Sequence, residues 1–152
     1  MEIQTLLKPL EELEREMQAL YEWLAETFAA DREAARVFFR LAMDEKRHAT
    51  MVEHLRRLAR QNPQLFPAID ASLGEVARCL VECRALRGNG SPPSLRVAIQ
   101  AAVDLENAAA ESHYRQAIGA AVPEITQLLQ ALVEADRLHG AALTRLAAAR
   151  GL

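Results

Sequence analysis

The chain has 152 residues, a net charge of −3 and 51% hydrophobic but only 5% aromatic residues, a composition that favours a single helical domain and excludes a sheet protein. Charges of both signs are mixed without a basic block, which argues against nucleic acid or an anionic membrane as a partner. The first residues lack a secretory signal and no apolar run is long enough to cross a membrane, so we expect a cytoplasmic protein.

Two long helices are predicted in the first part of the chain. The first runs from about Thr5 or Lys8 to Ala29. The second begins at Asp31, a residue type that caps helices well, and ends before the QNP turn at 61–63. Because their connection is short, these helices are expected to be antiparallel neighbours.

Two more long helices are predicted in the second part. The third starts in the segment GNGSPPS, with Ser91 or Ser94 as its N-cap and the prolines in its first turn, and ends at Gly119. The fourth runs from Pro123 to Arg150. Their short connection predicts a second antiparallel hairpin.

A shorter helix is predicted between the hairpins. The SLGE segment at 72–75 has the form of a capping box and opens a helix that ends near Gly88. This stretch is long enough to carry the chain back along a bundle. We therefore expect one domain, residues 1–152, with hairpins and a crossover at about 5–60, 92–150 and 61–91.

Cys79 and Cys83 are the only cysteines and lie four residues apart. The spacing is not Cys-x-x-Cys, and no second pair exists to complete a thiolate metal site. We expect two half-buried thiols on one helix in a reducing compartment.

Each long helix has an apolar stripe at steps of three and four residues, and each stripe is polar at its middle. The polar positions are Glu14 and Tyr21, then Glu45 and His48, then Glu106 and His113, and finally Asp136 and His139. Four carboxylates buried together repel one another and are costly to desolvate. Because no lysine or arginine occupies these stripe positions, a metal is the economical source of positive charge.

The spacing of these residues supports metal binding. Residues three apart share a helix face, so Glu45 and His48 can reach one ion, as can Asp136 and His139. Mixed carboxylate and imidazole ligands suit iron or manganese and differ from the thiolates of a typical structural zinc site. Two divalent ions would neutralise the four carboxylates.

The two hairpins also resemble each other in sequence. Glu14 and Glu106 are separated by 92 residues, and Glu45 and Asp136 by 91. This near-constant offset indicates an internal duplication.

Four segments, LEREMQALYEWLAE, LAMDEKRHATMVEHL, DLENAAAESHYRQA and ALVEADRLHGAAL, together resemble the rubrerythrin and ferritin-like family of di-iron carboxylate proteins. The resemblance covers about 110 of the 152 residues. It implies a ferritin-like antiparallel four-helix bundle with a long crossover, holding two iron ions, for which manganese or zinc can substitute.

The resemblance also implies roles for individual residues. Glu45 and Asp136 would bridge the metals, Glu14 and Glu106 would be mainly terminal ligands, and Tyr21 would lie just outside the ligands. The two implied ligand sets are Glu14, Glu45 and His48 for one iron, and Glu106, Asp136 and His139 for the other.

Several features depart from the family pattern. Asp136 replaces a Glu and has a shorter arm, which puts bridging in question. His113 stands where a second tyrosine is usual, so it is a candidate ligand or an outer partner. Ala109 stands where rubrerythrins have a further Glu. The chain lacks the cysteine-rich rubredoxin domain, so another protein would have to donate electrons.

The expected function is therefore ferroxidase or peroxidase chemistry with dioxygen or hydrogen peroxide, in iron handling or oxidative-stress defence. One alternative is a non-catalytic metal-binding or structural bundle. Another is oxidation of an organic substrate, for which Ala102, Ala109 and Ala110 could leave room. By the same resemblance we expect a homodimer.

Overall fold

The structure, a computed structural model, describes residues 2–66, 73–108 and 123–152. Nearly all of these residues are helical and no β-strand occurs among them, which confirms the predicted all-α class. A short 3₁₀ turn, Pro63–Leu65, follows the second helix. The described helices are α1 (Ile3–Thr27), α2 (Arg32–Gln61), α3 (Gly74–Gly88), α4 (Leu95–Ala108) and α5 (Pro123–Ala149).

Helix α1 begins earlier than its sequence predicts. It starts at Ile3 and includes Pro9, which cannot donate a backbone hydrogen bond to the preceding turn. Ile3, Leu6 and Leu7 are all buried in the core, and their packing offsets that lost bond. The first turn is therefore helical for tertiary reasons that local propensity does not contain.

The predicted caps of two helices are present. The backbone N–H of Ala34 donates to Asp31 Oδ1 at 3.1 Å at the start of α2. The N–H of Val97 donates to Ser94 Oγ at 3.3 Å at the start of α4. The prolines precede α4 instead of forming its first turn. Proline disfavours helical backbone angles in the residue that comes before it. Ser72 and Gly119 lie outside the described residues.

Helices α1 and α2 pack against each other as an antiparallel pair. Gln4 Nε2 donates to the carbonyl oxygen of Arg56 at 3.0 Å at one end. Toward the other end the rings of Tyr21 and Phe38 stack with centroids 6.3 Å apart. Early residues of α1 thus face late residues of α2, as the short connection predicts.

Helix α5 lies antiparallel to α2. Arg150 near the end of α5 donates to Asp31 at the start of α2, with Nη2 2.6 Å from Oδ1. His139 in the middle of α5 lies beside Glu45 in the middle of α2. Helix α5 also packs against α4, while α3 packs mainly against α1. These contacts bring the middles of α1, α2 and α5 together with the last described turn of α4 around one core.

No helix in the described ranges combines the length and hydropathy needed to cross a membrane.

Cys79 and Cys83 are free thiols of α3, and both are fully buried, more deeply than the half-burial expected from sequence. Burial raises the pKa of Cys79 to about 11 and that of Cys83 to about 12. Both thiols therefore stay protonated and pack as small apolar groups.

Candidate metal centre

Among the described residues, the polar positions of the four stripes meet in the interior of the protein. Helix α1 supplies one carboxylate, α2 a carboxylate and an imidazole, α4 a carboxylate, and α5 a carboxylate and an imidazole. None of these residues is more than 6% exposed: Glu14, Glu45, His48, Glu106, Asp136 and His139.

These side chains form two groups whose potential ligand atoms lie within 4.8 Å of one another. One group is Glu14, Glu45 and His48. The other is Glu45, Glu106, Asp136 and His139. Each group contains carboxylate oxygens and an imidazole nitrogen and could hold a metal ion. Glu45 belongs to both.

Glu45 lies between the two histidines. Its Oε2 is 3.1 Å from His48 Nδ1, and its Oε1 is 3.0 Å from His139 Nδ1. The two imidazole rings are nearly parallel, with centroids 5.4 Å apart and an interplanar angle of 20°. One carboxylate therefore presents a different oxygen to each group, the arrangement that a bridging carboxylate requires.

The two groups correspond to each other through the offset of 91 to 92 residues in the sequence, but they are not equivalent. His48 Nδ1 is 3.5 Å from Glu14 Oε2, and His139 Nδ1 is 3.4 Å from Glu106 Oε1. Asp136 breaks this correspondence: Glu45 belongs to both groups, whereas Asp136 belongs only to the group around His139, although its Oδ1 lies 3.9 Å from His48 Nδ1.

Burial and the neighbouring carboxylates raise the pKa of two carboxyl groups of the centre, those of Glu45 and Asp136. Among the described residues, no lysine or arginine lies within ion-pair distance of Glu45, Glu106 or Asp136. Burial first, and then the charges of Glu106 and Glu14, raise the pKa of Glu45 to about 8. Burial and the neighbouring carboxylates likewise raise the pKa of Asp136 well above its usual value.

The histidines respond in the opposite sense to burial. Burial alone would lower the pKa of His48, but Glu14 and Glu45 outweigh it and raise the pKa to about 10. Glu106 and Glu45 similarly raise the pKa of His139 to about 11. Two imidazolium groups would still leave four ionised carboxylates with excess negative charge. The cluster thus needs further cations, either protons or metal.

Several buried polar atoms of the cluster have no hydrogen-bond partner within the ranges that the structure describes. They are Glu45 Oε1, Glu106 Oε2, Asp136 Oδ2 and His139 Nδ1. Glu45 Oε1 and His139 Nδ1 are 3.0 Å apart but are not aligned as a hydrogen bond. Unsatisfied buried acceptors are costly, and a divalent cation would satisfy oxygen and nitrogen lone pairs together. The side chains present therefore fit a metal.

Tyr21 contacts the centre from α1. Its hydroxyl donates to Glu106 Oε1 on α4 at 2.5 Å, and its ring is fully buried. Burial, followed by the charges of Glu106 and Glu45, raises the pKa of Tyr21 well above its usual value. The hydroxyl therefore keeps its proton and remains a donor to the carboxylate.

Asp44 is a neighbour of the centre that the stripe pattern does not identify. Its Oδ2 lies 3.4 Å from His139 Nε2, on the side of the ring opposite the cluster, and its Oδ1 accepts from Arg47 at 2.8 Å. Asp44 directly precedes Glu45, so it falls off the helical stripe. Only the position of α5 beside α2 brings it to His139.

Other predicted residues have different outcomes. His113, Ala109 and Ala110 lie outside the described residues, so the predictions for them remain predictions. Ala102 is fully buried in α4.

Comparison with protein-family models, with curated proteins and with solved structures produced no match to this chain.

Proposed function

We propose that this protein is a non-haem di-iron protein of the rubrerythrin and ferritin-like type, which reacts with dioxygen or hydrogen peroxide. The observation that carries the proposal is the position of Glu45, whose two oxygens each face a different buried histidine. The proposed architecture is a ferritin-like four-helix bundle, in which the segment containing α3 is the crossover between two hairpins.

The two groups of side chains divide the proposed ligands. Glu14 and His48 would hold one iron, Glu106 and His139 the other, and Glu45 would bind both. Asp136 would bind the iron at His139 and reach toward the other only with its shorter arm. The side chains of glutamate, aspartate and histidine are ligands that iron, manganese and zinc all accept.

A pair of ferrous ions at this centre would supply two electrons to one molecule of peroxide or dioxygen. The protein's own part is electrostatic and positional. The carboxylates favour the more highly charged ferric state, since their negative charge is buried where solvent screens it poorly. Tyr21 orients Glu106 by its hydrogen bond, and Asp44 can hold His139 with Nε2 protonated so that Nδ1 faces the metal.

The proposed activity is ferroxidase or peroxidase turnover in iron handling or oxidative-stress defence. A peroxidase cycle needs electrons after each oxidation, and the two cysteines are buried, protonated thiols of α3. We therefore propose that a separate electron-donor protein reduces the centre.

The test is anaerobic loading with ferrous iron, elemental analysis, and stopped-flow mixing with hydrogen peroxide or dioxygen. We expect elemental analysis to find two irons per chain. After mixing with the oxidant, the near-ultraviolet absorbance of ferric iron should rise. Glu53→Gln, a change on the same helix at a 43% exposed side chain, is the matched control and should behave as wild type. Iron that binds in full stoichiometry but is not oxidised would contradict the redox proposal.

The position of Asp136 favours a second candidate, a bundle in which a single metal has only a structural role. Only the group around His139 has four members, and the group around His48 has three. In this case, elemental analysis would find one metal per chain. Zinc would then raise the midpoint of thermal unfolding as much as iron does, and oxidant would produce no ferric absorbance.

A further inference from the structure

A cleft outside the metal centre lies between helices α3 and α4. Its volume is about 450 Å³, within the range of sites that bind small organic molecules. The two helices pack on different neighbours, α3 mainly on α1 and α4 mainly on α5. Arg84 and Arg87 of α3 both donate to Glu16 of α1, which fixes α3 further. The walls of the cleft are therefore two helices that contacts outside the cleft hold in place.

Part of the cleft lining is apolar. Leu105 of α4 is 1% exposed, and Leu86 of α3 is half-buried. Ala85 and Ala101 also line the cleft, and their small side chains leave room between the helices. The apolar part of a ligand would be stabilised here by the surface that it and these side chains remove from water.

The polar part of the lining has an excess of negative charge. Arg78 Nη1 donates to Glu82 Oε1 at 2.5 Å, and Arg78 Nη2 donates to Glu75. Asp104 Oδ1 accepts from the neutral amide of Gln100 at 3.0 Å, and within the described ranges no lysine or arginine lies at ion-pair distance from Asp104. The arginine is thus matched by two carboxylates, whereas the third carboxylate has no cation.

This combination of charge and hydrophobicity selects one class of ligand. An anion would have to displace the carboxylates bound to Arg78 and would be repelled by Asp104. A metal ion does not suit the apolar half of the lining, and in the described part of the chain Asp104 belongs to no group of converging metal ligands. An organic cation fits both halves, because its charge can meet Asp104 while its apolar part covers Leu86 and Leu105.

We propose that the cleft binds a small organic ammonium ion, with the ammonium group at Asp104 and the apolar part between Leu86 and Leu105. Asn89 lines the same cleft, and its side-chain oxygen can accept a further N–H from the ligand. The site is separate from the metal centre, to which the next residue of α4, Glu106, belongs. The proposal therefore does not depend on the metal or on its chemistry.

The first experiment compares three probes of similar size and different charge: phenethylammonium, phenethyl alcohol and hydrocinnamate. Isothermal titration calorimetry on the full chain at neutral pH, as purified and again in chelator, measures the dissociation constants. Phenethylammonium should bind about three- to fivefold more tightly than the alcohol, the usual effect of one exposed ion pair, and hydrocinnamate should bind most weakly. Salt should weaken binding of the ammonium probe, and chelator should change nothing. No saturable binding of phenethylammonium, or equal binding of all three probes, would overturn the proposal.

The second experiment changes the charge at the rim. Asp104→Asn should reduce the affinity for phenethylammonium to that for the alcohol, and Asp104→Lys should make hydrocinnamate the tightest of the three probes. Glu134→Gln removes a negative charge from a 63% exposed side chain of α5 and should leave the wild-type order unchanged. If Asp104→Lys keeps the wild-type order, the ammonium group does not lie at Asp104 and the proposal is wrong.

The third experiment fills the cleft. Ala85→Trp places a large ring between the helices at an exposed position and should abolish binding of all three probes. Ala77→Trp makes the same change at an exposed position of α3 outside the cleft and should bind the probes as wild type does. Circular dichroism should give wild-type helicity for every variant. Binding that survives Ala85→Trp in a folded chain would place the ligand elsewhere and overturn the proposal.

Discussion

Glu11 and Glu45 are both buried carboxylates of the α1–α2 pair, and they differ in the cations that face them. Arg15 Nη2 lies 2.9 Å from Glu11 Oε1, and Arg56 donates to Glu11 Oε2. Burial would raise the pKa of Glu11, but the two arginines outweigh it and lower the pKa. Among the described residues, Glu45 has histidines and other carboxylates as its charged neighbours and no arginine or lysine in ion-pair distance, and its pKa is raised to about 8.

The difference shows how this chain treats buried negative charge. At Glu11 the protein supplies its own cations, two arginine side chains, so no bound ion is needed to neutralise the carboxylate. At Glu45 the charge on the neighbouring imidazoles does not match that of the carboxylates. A site that leaves this mismatch is suited to a bound metal, whereas the site at Glu11 is a structural ion pair. Substitutions at the two sites should therefore have opposite effects.

The largest expected effect is that of Glu45→Gln, which keeps the size of the side chain and removes its charge. Metal affinity should fall by more than about 100-fold, because both ligand groups lose a member. The metal-free protein should become more stable at pH 7 by roughly 2 to 4 kcal/mol, because folding no longer has to neutralise this carboxylate. Metal titration and urea unfolding in chelator measure the two effects.

The control for this variant is again Glu53→Gln, which should alter neither quantity. A Glu45→Gln protein with wild-type metal affinity would show that Glu45 is not a ligand.

The next effect is that of Arg56→Met, which removes a cation from Glu11. We expect a loss of about 1 to 3 kcal/mol in the free energy of unfolding, less than for a fully buried pair because the Arg56 side chain is 24% exposed. Urea unfolding in chelator measures it. Adding Glu11→Gln to the same chain should restore most of the loss, whereas Arg57→Met should have little effect. If the double variant is no better than Arg56→Met, packing and not charge explains the change.

The pH dependence of stability should also differ between the two sites. The folded-state pKa values of Glu45, about 8, and His48, about 10, exceed their unfolded values of about 4.3 and 6.5. Without metal, stability should therefore be highest at acid pH and fall as pH rises from about 5 to 10, by about 1.4 kcal/mol per pH unit for each proton released. The lowered pKa of Glu11 contributes stability above about pH 4.3 that is lost on further acidification.

Urea unfolding across this pH range, with chelator and with metal, measures the fall in stability at high pH and the fall at acid pH. Metal should stabilise the protein increasingly as pH rises, because its ligands must lose protons to bind it. Glu45→Gln should make the metal-free free energy of unfolding less dependent on pH between about pH 5 and 8. Glu11→Gln should reduce the loss of stability on acidification. A metal-free curve that rises steadily to pH 9 would contradict the raised pKa values.

The smallest expected effect is that of Tyr21→Phe, which deletes the hydrogen bond to Glu106 and keeps the ring stacked on Phe38. Metal-free stability should fall by about 1 kcal/mol, the usual value of one hydrogen bond. Metal content should be retained, because Tyr21 contacts a ligand and is not one. Urea unfolding and elemental analysis test this. A complete loss of metal would show that the hydroxyl is needed to position Glu106.

Local sequence signals predicted much of the secondary structure. Asp31 and Ser94 cap α2 and α4 as their residue types indicate, because a cap depends on only a few neighbouring residues. The start of α1 at Ile3 could not be predicted in this way. The turn around Pro9 is held by packing against distant residues, and helix propensity does not include that packing.

The sequence also predicted which side chains of each helix turn inward at the centre, but not every buried charge. Glu45, His48, Asp136 and His139 follow the helical period and are buried. Glu11 lies beside the predicted stripe and is buried as well. Because α1 packs against both α2 and α3, a wider arc of its surface is covered than a single stripe describes.

By itself, then, the sequence determined the helical class and the height of the polar residues along each helix, since both follow from spacings within one segment. Only the tertiary structure decided which groups meet across helices. It placed Glu45 between His48 and His139, brought Asp44 to the far side of the His139 ring, and held Asp136 within one ligand group. These relations depend on the register and separation of packed helices, which many distant contacts set together and no single segment encodes.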